Sequence, residues 1–413
     1  MSEMGGLANS ATSGWASVQL GTVTTKIGSG ATPLGGELAY KSDGTALIRS
    51  LNVHDGLFKW KDLAFIDDTQ AERLGNVVVE PNDVLLNITG ASVARCCVVP
   101  EEALPARVNQ HVAIIRPCAK RLLPQFLQYM LVSPDYKDRL LGVGESAGST
   151  RQALTKAQLQ SLVVEFPLQL QEQRRIVALL DEAFEGIATA KANAEKSLLN
   201  ARELFDTYLG DVYARGARVV PLAQCATSIS DGDHAPPPKS TTGIPFITIS
   251  NVDKETRQID FGDTFTVPRE YFDGLKAHRK PRPGDVLYTV TGSFGIPILV
   301  EEEMDFCFQR HIGLIRPTSE TDSRWLAYAL LSPQVRAQAE AGATGTAQRT
   351  VSLSVLRGIT VPEVKLADQR RAADQLDYFS IEIQRLKDIA RRKSAALAEL
   401  KKSLLHQAFS GQL

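Results

Sequence analysis

The chain has 413 residues, a formal net charge of −1 at pH 7, 43% hydrophobic residues and 23% charged residues. This length exceeds one ordinary hydrophobic core and predicts two or three domains, and the composition is that of a globular protein. The near-neutral charge argues against a protein that coats nucleic acid nonspecifically, although it leaves room for local basic patches.

The sequence indicates neither a membrane-spanning segment nor a disulfide framework. The first residues lack the basic and apolar regions of a signal peptide, and no run approaches the ~18 apolar residues that span a bilayer. The number of cysteines is odd and no C-x-x-C spacing occurs, so neither a disulfide framework nor a zinc site is signalled. We therefore expect a reduced, cytoplasmic protein.

In chain order, the first stretch consists of short apolar runs broken by Gly, Pro, Asn and Asp, which predicts short strands and turns. The segments VLLNITG (84–90) and VAIIRP (112–117) predict buried strands. Apolar residues at three- and four-residue spacing then predict one helix over 124–141. A loop rich in Gly, Ser, Thr and Gln follows at 144–155, after which Thr155 is expected to N-cap a short helix.

The same order of elements recurs about two hundred residues later, with Ser352 as the second expected N-cap. A period this long indicates a duplicated domain. Six segments match in order: 46–53 with 246–252, 81–92 with 283–294, 109–117 with 309–317, 123–134 with 323–333, 154–164 with 351–361, and 170–180 with 366–376.

Each copy ends in a long stretch without proline that carries a heptad pattern of apolar residues. Each stretch predicts a helix of roughly 50–60 Å. The apolar positions of the second helix are mostly bulky, and those of the first helix are rich in alanine. The two helices could therefore approach closely, so we favour their pairing with each other over packing of each helix on its own domain. The expected seam is Ile176, Leu180, Ala183, Ile187, Ala190, Ala194, Ala201, Leu204, Leu376, Phe379, Ile383, Leu386, Ala390, Leu397, Leu400 and Leu404.

No motif for catalysis stands out. Residues 142–150 faintly resemble a phosphate-binding loop but lack its lysine and follow a helix instead of a strand. The segments NQHVAIIRP (109–117) and QRHIGLIRP (309–317) repeat a histidine, and a general base needs a partner that orients it. The neighbours change from amide to cation between the copies, which disfavours catalysis. A hydrogen-bonded residue at a strand edge and a ligand contact both stay open.

Polar residues at fixed positions of both copies, among them Asn87 and Thr289, are of the types that hydrogen-bond to base edges and phosphates. Taken singly, each is better explained as an ordinary hydrogen-bonded loop residue. The DNA-binding candidates are Thr89, Asn109, Gln110, His111, Arg151, His234, Lys239, Thr291, Gln309, Arg310, His311, Gln348 and Arg349.

Several motifs together resemble the specificity (S) subunit of type I restriction–modification systems. They are SDGDHAPPPKSTTGIPFITISNV (230–252), KIGSGATPLGG (26–36), both P-x-D-V-L segments, both H-x-x-x-I-R-P segments, Q-R-R-I-V in the first long helix, and KKSLLHQAFSGQL (401–413). Each motif is degenerate by itself, but their order and duplication are specific, and the likeness covers nearly the entire chain. The first copy lacks a histidine equivalent to His234, so we expect the copies to recognise unrelated half-sites.

The resemblance implies an α+β fold with two target-recognition domains of mixed β-sheet and short helices. Two long antiparallel helices that form a coiled coil would join them with pseudo-two-fold symmetry. The implied domains are 1–166 and 213–362 for target recognition, with the long helices in 167–212 and 363–413.

The resemblance also implies a non-catalytic DNA-recognition subunit for a bipartite double-stranded target. It would dock two modification (methyltransferase) subunits and restriction subunits that act as translocases. No cofactor is expected on this chain, because S-adenosylmethionine and ATP with Mg²⁺ belong to the partner subunits. Two alternatives stay open on the sequence: a non-catalytic protein-interaction scaffold, and the specificity module of a related methyltransferase or restriction system.

Overall fold

A computed structural model describes residues 14–33, 35–145, 153–214, 218–232, 234, 236–346 and 348–413, apart from the side chains of 143–145, 212 and 213. The chain divides into two compact units. Unit 1 comprises the described residues up to 193 together with 392–413, and unit 2 comprises those in 194–391. Each unit includes parts of both long helices, so the domain limits expected from the sequence stay predictions.

Unit 1 contains short strands, short helices and the first half of a long helix. Its strands are β1 (Trp15–Gln19), β2 (Thr24–Ser29), β3 (Thr45–Ile48), β4 (Val53–His54), β5 (Leu57–Phe58), β6 (Ala64–Ile66), β7 (Val78–Val79), β8 (Val84–Asn87), β9 (Cys96–Val98), β10 (Ala106–Val108), β11 (Val112–Pro117) and β12 (Val163–Pro167). Its helices are α1 (Asp68–Arg73), α2 (Pro124–Val132), α3 (Pro134–Glu145), α4 (Lys156–Ser161) and the start of α5 (Leu170–Ala214).

Two four-stranded sheets form the body of unit 1, with the strand orders β6-β3-β10-β7 and β2-β11-β8-β9. β3 and β10 run parallel and the other neighbours run antiparallel. β1 pairs with β12, and β4 with β5. The short apolar runs of the sequence alternate inward and outward or are wholly buried, as for β8, so each run supplies one strand of a shared core.

Unit 2 contains a similar series of short strands and short helices together with parts of both long helices. Its strands are β13 (Val219–Pro221), β14 (Ala226–Asp231), β15 (Ile244–Ile247), β16 (Phe265–Val267), β17 (Val286–Thr289), β18 (Pro297–Leu299), β19 (Cys307–Phe308), β20 (Ile312–Pro317) and β21 (Thr360–Pro362). Its helices are α6 (Leu222–Cys225), α7 (Arg269–Gly274), α8 (Ser323–Leu331), α9 (Pro333–Gly342), α10 (Leu353–Gly358), the end of α5 and the start of α11 (Leu366–Phe409).

The sheets of unit 2 follow the order of those in unit 1, except that in the described residues the second sheet has three strands where unit 1 has four. The order β14-β20-β17-β18 matches β2-β11-β8-β9, and all neighbours in both are antiparallel. In the other sheet, β16-β15-β19, the parallel pair β15–β19 matches β3–β10. The α+β class, the mixed sheets and the duplication are therefore confirmed.

The helix expected over 124–141 is wrong as a single element, because α2 ends at Val132 and α3 begins at Pro134. Ser133 between them is extended, with ψ of 150°. A proline disfavours the helical conformation of the residue before it, which explains the break. Ser332 before Pro333 repeats the same geometry in unit 2.

The predicted N-caps are confirmed. The Thr155 hydroxyl accepts a hydrogen bond from the Gln158 amide at the start of α4, and the Ser352 hydroxyl accepts one from the Val355 amide at the start of α10. Both bonds satisfy amides that the helix itself leaves without a partner.

The long helices pair in opposite directions within each unit. In unit 1 the start of α5 contacts the end of α11: Arg175 donates to the Leu413 carbonyl, and Lys401 lies 4.6 Å from the Phe184 ring centre. In unit 2 the end of α5 contacts the start of α11, where Leu209 and Leu376 share a buried cluster. Pairing of the two helices is thereby confirmed over packing of each on its own.

The predicted seam is wrong at two positions, one in each helix. Leu204 and Leu400 are 56% and 47% exposed, whereas the following residues, Phe205 and Lys401, are partly buried. The heptad template assumes 3.5 residues per turn, and a straight α-helix has 3.6, so the buried face drifts by one position over several turns.

A buried glutamine anchors each long helix to its own unit. The Gln173 side chain accepts from the Leu123 amide and donates to the carbonyls of Arg121 and Pro167, each at 2.8 Å. Gln369 accepts from the Asp322 amide at 2.7 Å and donates to the carbonyls of Glu320 and Val364. The repeated Q-R-R motif thus includes a structural glutamine.

Within the described part of the chain, no helix combines the length and apolar character needed to cross a membrane.

Candidate nucleic-acid interface

The arginines of the two H-x-x-x-I-R-P segments each bind a buried aspartate from a P-x-D-V-L segment. Arg116 donates through Nε and Nη2 to the two Asp83 carboxylate oxygens at 2.7 and 2.9 Å. Arg316 donates in the same way to Asp285 at 2.9 and 2.8 Å. Hydrogen bonds to the aspartates raise the pKa of both guanidinium groups. These residues join neighbouring strands, so the repeated arginine has a structural role.

In unit 1 the polar side chains at the start of β11 form one hydrogen-bonded chain. The Gln110 amide nitrogen lies 3.1 Å from His111 Nε2, and Thr32 donates to the Gln110 carbonyl oxygen. Because that amide nitrogen can only donate, His111 accepts through Nε2 and donates through Nδ1 to the Thr89 hydroxyl. His111 is therefore held as a strand-edge residue, and the arrangement provides no orienting carboxylate for a general base.

Two of the candidate residues face the protein interior. Asn109 is buried, and its side-chain oxygen accepts from the His111 amide at 3.0 Å. Thr291 is buried in unit 2 and accepts from the Thr350 hydroxyl at 3.3 Å. A direct contact of either side chain with DNA is not compatible with this burial, so for these two the structure replaces the predicted contact with support of the neighbouring loop.

Asn87 and Thr289 are also buried. The Asn87 amide donates to the Ser50 carbonyl at 2.9 Å, and Thr289 donates to the Ser293 carbonyl at 2.8 Å. The Asn87 amide nitrogen and the Thr289 hydroxyl thus have internal partners, while the Asn87 Oδ1 atom is buried and has no hydrogen-bond partner in the described residues. The expectation that they reach base edges is wrong.

The corresponding edge of unit 2 carries Gln309, Arg310 and His311. Arg310 is exposed, and in the described residues its side chain has no hydrogen bond or ion pair. Burial, and secondly the charge of Arg310, lower the pKa of His311, so this imidazole is neutral at pH 7. The two copies thus place different polar groups, an amide in one and a cation in the other, at one position of a shared scaffold.

Three chain segments meet at this edge in each unit. In unit 1 the Ile88 amide donates to the His111 carbonyl, and the Leu154 amide donates to the Ile88 carbonyl. In unit 2 Val290 bonds to His311, and Val351 bonds to Val290, in the same way. The residue pairs Thr89 and Ala153, and Thr291 and Thr350, form isolated bridges beside these bonds. The edge is therefore built by the same backbone in both units.

The remaining candidates lie around this edge or away from it. Gln348 is exposed, and Arg349 donates to the Glu340 carbonyl and lies 5.6 Å from the Phe294 ring centre. Lys239 lies over the Phe265 ring of the other sheet, at 5.0 Å. Arg151 is outside the described residues. DNA contact by these exposed residues stays a prediction.

His234 belongs to a small charged group at the end of β14. Its Nε2 lies 2.7 Å from Asp231 Oδ2, and Arg279 Nη2 lies 3.6 Å from Asp231 Oδ1. Arg279 comes from a basic run, residues 276–282, that the sequence prediction omitted. Its signal was available as a local excess of Lys, Arg and His in a chain of near-zero net charge.

A cavity of about 700 Å³ opens within unit 2 beside α8 and α11. Its polar walls are satisfied internally: Arg324 pairs with Asp377 at 2.6 Å, and the Tyr328 hydroxyl donates to Asp377 at 2.7 Å. Burial, and secondly the Asp377 carboxylate, raise the pKa of Tyr328 to about 12. In the described residues no group of three or more His, Cys, Asp or Glu side chains is arranged to hold a metal ion.

Part of the chain matches a known protein family. Residues 12–198 match the model of the type I restriction modification DNA specificity domain. No curated protein matches the chain.

Solved structures share the fold over nearly the full length. One of them comes from work on the structural basis of complex assembly and conformational transition of the type I R-M system. It is 20% identical to this chain with a TM-score of 0.75, and the match covers 98% of this chain and 100% of that chain. The HsdS subunit from Thermoanaerobacter tengcongensis is 19% identical with a TM-score of 0.64, covering 98% of each chain. The chain is therefore similar to the type I restriction modification DNA specificity domain over residues 12–198, and it shares the fold of these two structures over nearly its whole length.

Proposed function

We propose that this chain is the DNA-recognition subunit of a type I restriction–modification complex, and that each unit recognises one half of a bipartite DNA sequence. The observation that carries the proposal is the divergence of polar residues on a duplicated backbone. At equivalent positions before the repeated histidine, unit 1 has Gln110 and unit 2 has Arg310. A fold that is repeated with different hydrogen-bonding groups is suited to two different half-sites.

The side chains of Gln110 and Arg310 differ in the hydrogen bonds that they can form with DNA bases. Gln110 offers an amide that both donates and accepts, and Thr32 and His111 fix its orientation. Arg310 offers a charged planar donor without a partner in the described residues. In the major groove, amide side chains pair with adenine and guanidinium groups with guanine. The two units should therefore differ in the half-site that they select.

The long helices supply the surface for partner proteins under this proposal. Exposed apolar residues occur along both helices and are unusual for a surface that meets only water. They are Leu179, Leu199 and Leu204 on α5 and Tyr378, Ile381, Ile389 and Leu400 on α11. Two modification subunits would dock there, restriction subunits would join them, and S-adenosylmethionine and ATP with Mg²⁺ would bind to those partners. This chain contributes recognition and no catalytic group.

The deciding experiment is methylome sequencing of cells with and without the gene for this chain. We expect deletion to remove methylation at one sequence motif interrupted by a nonspecific spacer. Gln110→Ala should then relax or weaken one half of that motif, and Arg310→Ala the other half.

The matched control is Lys120→Ala, which removes an exposed side chain from the end of β11 opposite His111 and should leave the motif unchanged. Thermal unfolding of each variant checks that folding is intact. A methylome that is the same with and without the gene, in cells that express the partner subunits, would contradict the proposal. Equal effects of both variants on both halves would contradict the assignment of one half-site to each unit.

A further inference from the structure

We propose that residues 276–282 of unit 2, which we name the basic turn, bind backbone phosphates of DNA, and that the equivalent turn of unit 1, residues 74–80, lacks this function because it contains no Lys or Arg. The inference rests on the proposed function, since it adds a phosphate-binding segment to the interface of unit 2. The basic turn has the sequence KAHRKPR and includes a 3-10 helix over Ala277–Arg279.

The backbone of the basic turn is fixed by hydrogen bonds from side chains of the neighbouring strands. Arg316 donates to the carbonyls of Ala277 and Lys280 at 3.3 and 2.8 Å, and the Ser230 hydroxyl donates to the His278 carbonyl at 2.7 Å. Arg316 is itself held by the buried Asp285. The carbonyls thus face the sheet, and a fixed backbone reduces the entropy that the turn loses on binding a ligand.

The side chains of Lys276, His278 and Arg282 are exposed and available. In the described residues, none of the three has a side-chain hydrogen bond or ion pair. Several other exposed arginines of unit 2 are paired, as Arg269 is with Asp305 at 2.6 Å and Arg336 with Glu340 at 3.2 Å. The basic turn brings three basic side chains without ion pairs together within the range 276–282.

Comparison of the two units shows that the fold does not require this charge. The amide of Arg282 donates to Asp285 at 3.0 Å, and in unit 1 the amide of Glu80 donates to Asp83 at 2.7 Å in the same turn. The Glu80 carboxylate pairs with Arg116. The same backbone position thus carries a glutamate in one unit and an unpaired arginine in the other, so the arginine serves something other than folding.

The basic turn is continuous with the predicted DNA-binding residues of unit 2. Arg279 contacts Asp231, and Asp231 contacts His234. The next residue, Gly232, lies so close to Phe308 that a Cβ atom there would be 2.0 Å from the Phe308 carbonyl oxygen. The loop after β14, the basic turn and the segment before His311 therefore form one surface. The negative charge of Asp231 is balanced by Arg279.

Phosphate is the ligand that this chemistry fits. Unpaired Lys and Arg side chains on a rigid turn bind anions without reference to sequence, and such contacts position a protein on duplex DNA while base contacts specify the site. Release of counterions then makes affinity depend on salt, with a slope of about −0.9 in log K against log salt for each phosphate contact.

The test uses the chain assembled with its modification subunits. Binding to a duplex with the methylated motif and to a duplex with a scrambled motif is measured by fluorescence anisotropy over a series of salt concentrations. Lys276→Ala and Arg282→Ala should each reduce the slope by about 0.9 and the affinity roughly fivefold at about 0.15 M salt, if affinities converge near 1 M. Both duplexes should be affected equally, because phosphate contacts carry no sequence information.

Arg282→Glu places the residue of unit 1 in the equivalent turn, so the backbone accommodates it, and it should weaken binding further than Arg282→Ala. The control Lys120→Ala removes an exposed cation outside the basic turn and should leave the slope unchanged. Circular dichroism melting of all variants confirms that they fold.

The outcomes separate the inference from the proposed function. If the wild-type complex prefers its motif and the basic-turn variants keep the wild-type slope, the inference is overturned and the function stands. If the variants lose a modification subunit without a change in slope, the basic turn binds an acidic protein surface and the inference is again overturned. If the wild-type complex binds both duplexes equally, the proposed function fails, and the slopes still decide whether the turn contacts phosphate.

Discussion

Removal of the buried aspartate that holds the repeated arginine should destabilise unit 2 strongly. Asp285 receives two hydrogen bonds from Arg316 and one from the Arg282 amide, at 2.8 to 3.0 Å. In Asp285→Ala these three bonds are lost, and the Arg316 guanidinium, whose side chain is 12% exposed, keeps its charge without a carboxylate.

The magnitude follows from breaking one partner of a buried ion pair, which costs about 3–5 kcal/mol. For a unit of this size, that corresponds to a lower melting temperature by roughly 10 °C. The equivalent Asp83→Ala should cost less, by up to about 1 kcal/mol, because Arg116 retains its pairing with the half-exposed Glu80.

Denaturant-dependent hydrogen exchange measures both effects locally. Amides of β17 and β20 report on Asp285→Ala, and those of β8 and β11 report on Asp83→Ala. Asp273→Ala is the matched control, since Asp273 is 60% exposed and lies 3.9 Å from Arg269, and it should change stability by less than about 0.5 kcal/mol. A loss for Asp285→Ala no larger than that of the control would refute the structural role of the repeated pair.

Three further predictions concern the long helices and the walls of the cavity. Gln173→Ala and Gln369→Ala should each lower the free energy of unfolding by about 2–3 kcal/mol in urea titrations, because each leaves an amide and two carbonyls unsatisfied; no change would contradict the anchoring role. Leu376→Asp should unfold unit 2, whereas Leu400→Asp on an exposed position should leave the melting curve unchanged. The Tyr328 phenol ionises near pH 10 when unfolded and at about 12 when folded, so stability falls as pH rises from 10 to 12, and Tyr328→Phe should reduce that fall in denaturation midpoints.

The duplicated scaffold could be predicted because the same order of apolar runs and turn residues occurs in both units. β8 is wholly buried and β11 is buried except for Arg116, and both begin as short apolar runs next to turn residues. The N-caps at Thr155 and Ser352 are local features, and local hydrogen bonds can be predicted from a few neighbouring residues. Each of these local patterns is weak by itself, but it occurs at equivalent positions of both copies, so the two copies support the same prediction.

The register of the paired helices could not be predicted to the residue. Leu204 and Phe205 are both apolar, so the sequence offers two equally suitable seam positions, and only packing selects the second. At Leu400 the apolar residue is exposed and Lys401 lies over Phe184, since a lysine stem can cover apolar surface while its ammonium group remains in water. In contrast, the break before Pro134 was available from the Ser-Pro dipeptide.

The role of each candidate residue could not be predicted from the sequence. Gln110, His111 and Arg310 are not buried at the edge beside the repeated histidine, whereas Asn109 and Thr291 are buried. The Arg116–Asp83 pair joins residues 33 apart in the chain, and such a pairing depends on strand order rather than on local pattern. A matched arginine and aspartate in two repeated motifs was the only sequence signal for it.

Comparison of the two units shows which residues the fold requires and which residues can vary. Asp83 and Asp285, the arginines that bind them and the anchoring glutamines are the same in both units. All are hydrogen-bonded, and the aspartates and glutamines are buried. Positions that differ, such as Glu80 against Arg282, lie on the surface of an otherwise equal backbone. Because one scaffold folds with either residue, stability cannot explain the difference. Selection by a ligand can, and under the proposed function that ligand is the DNA half-site that each unit recognises.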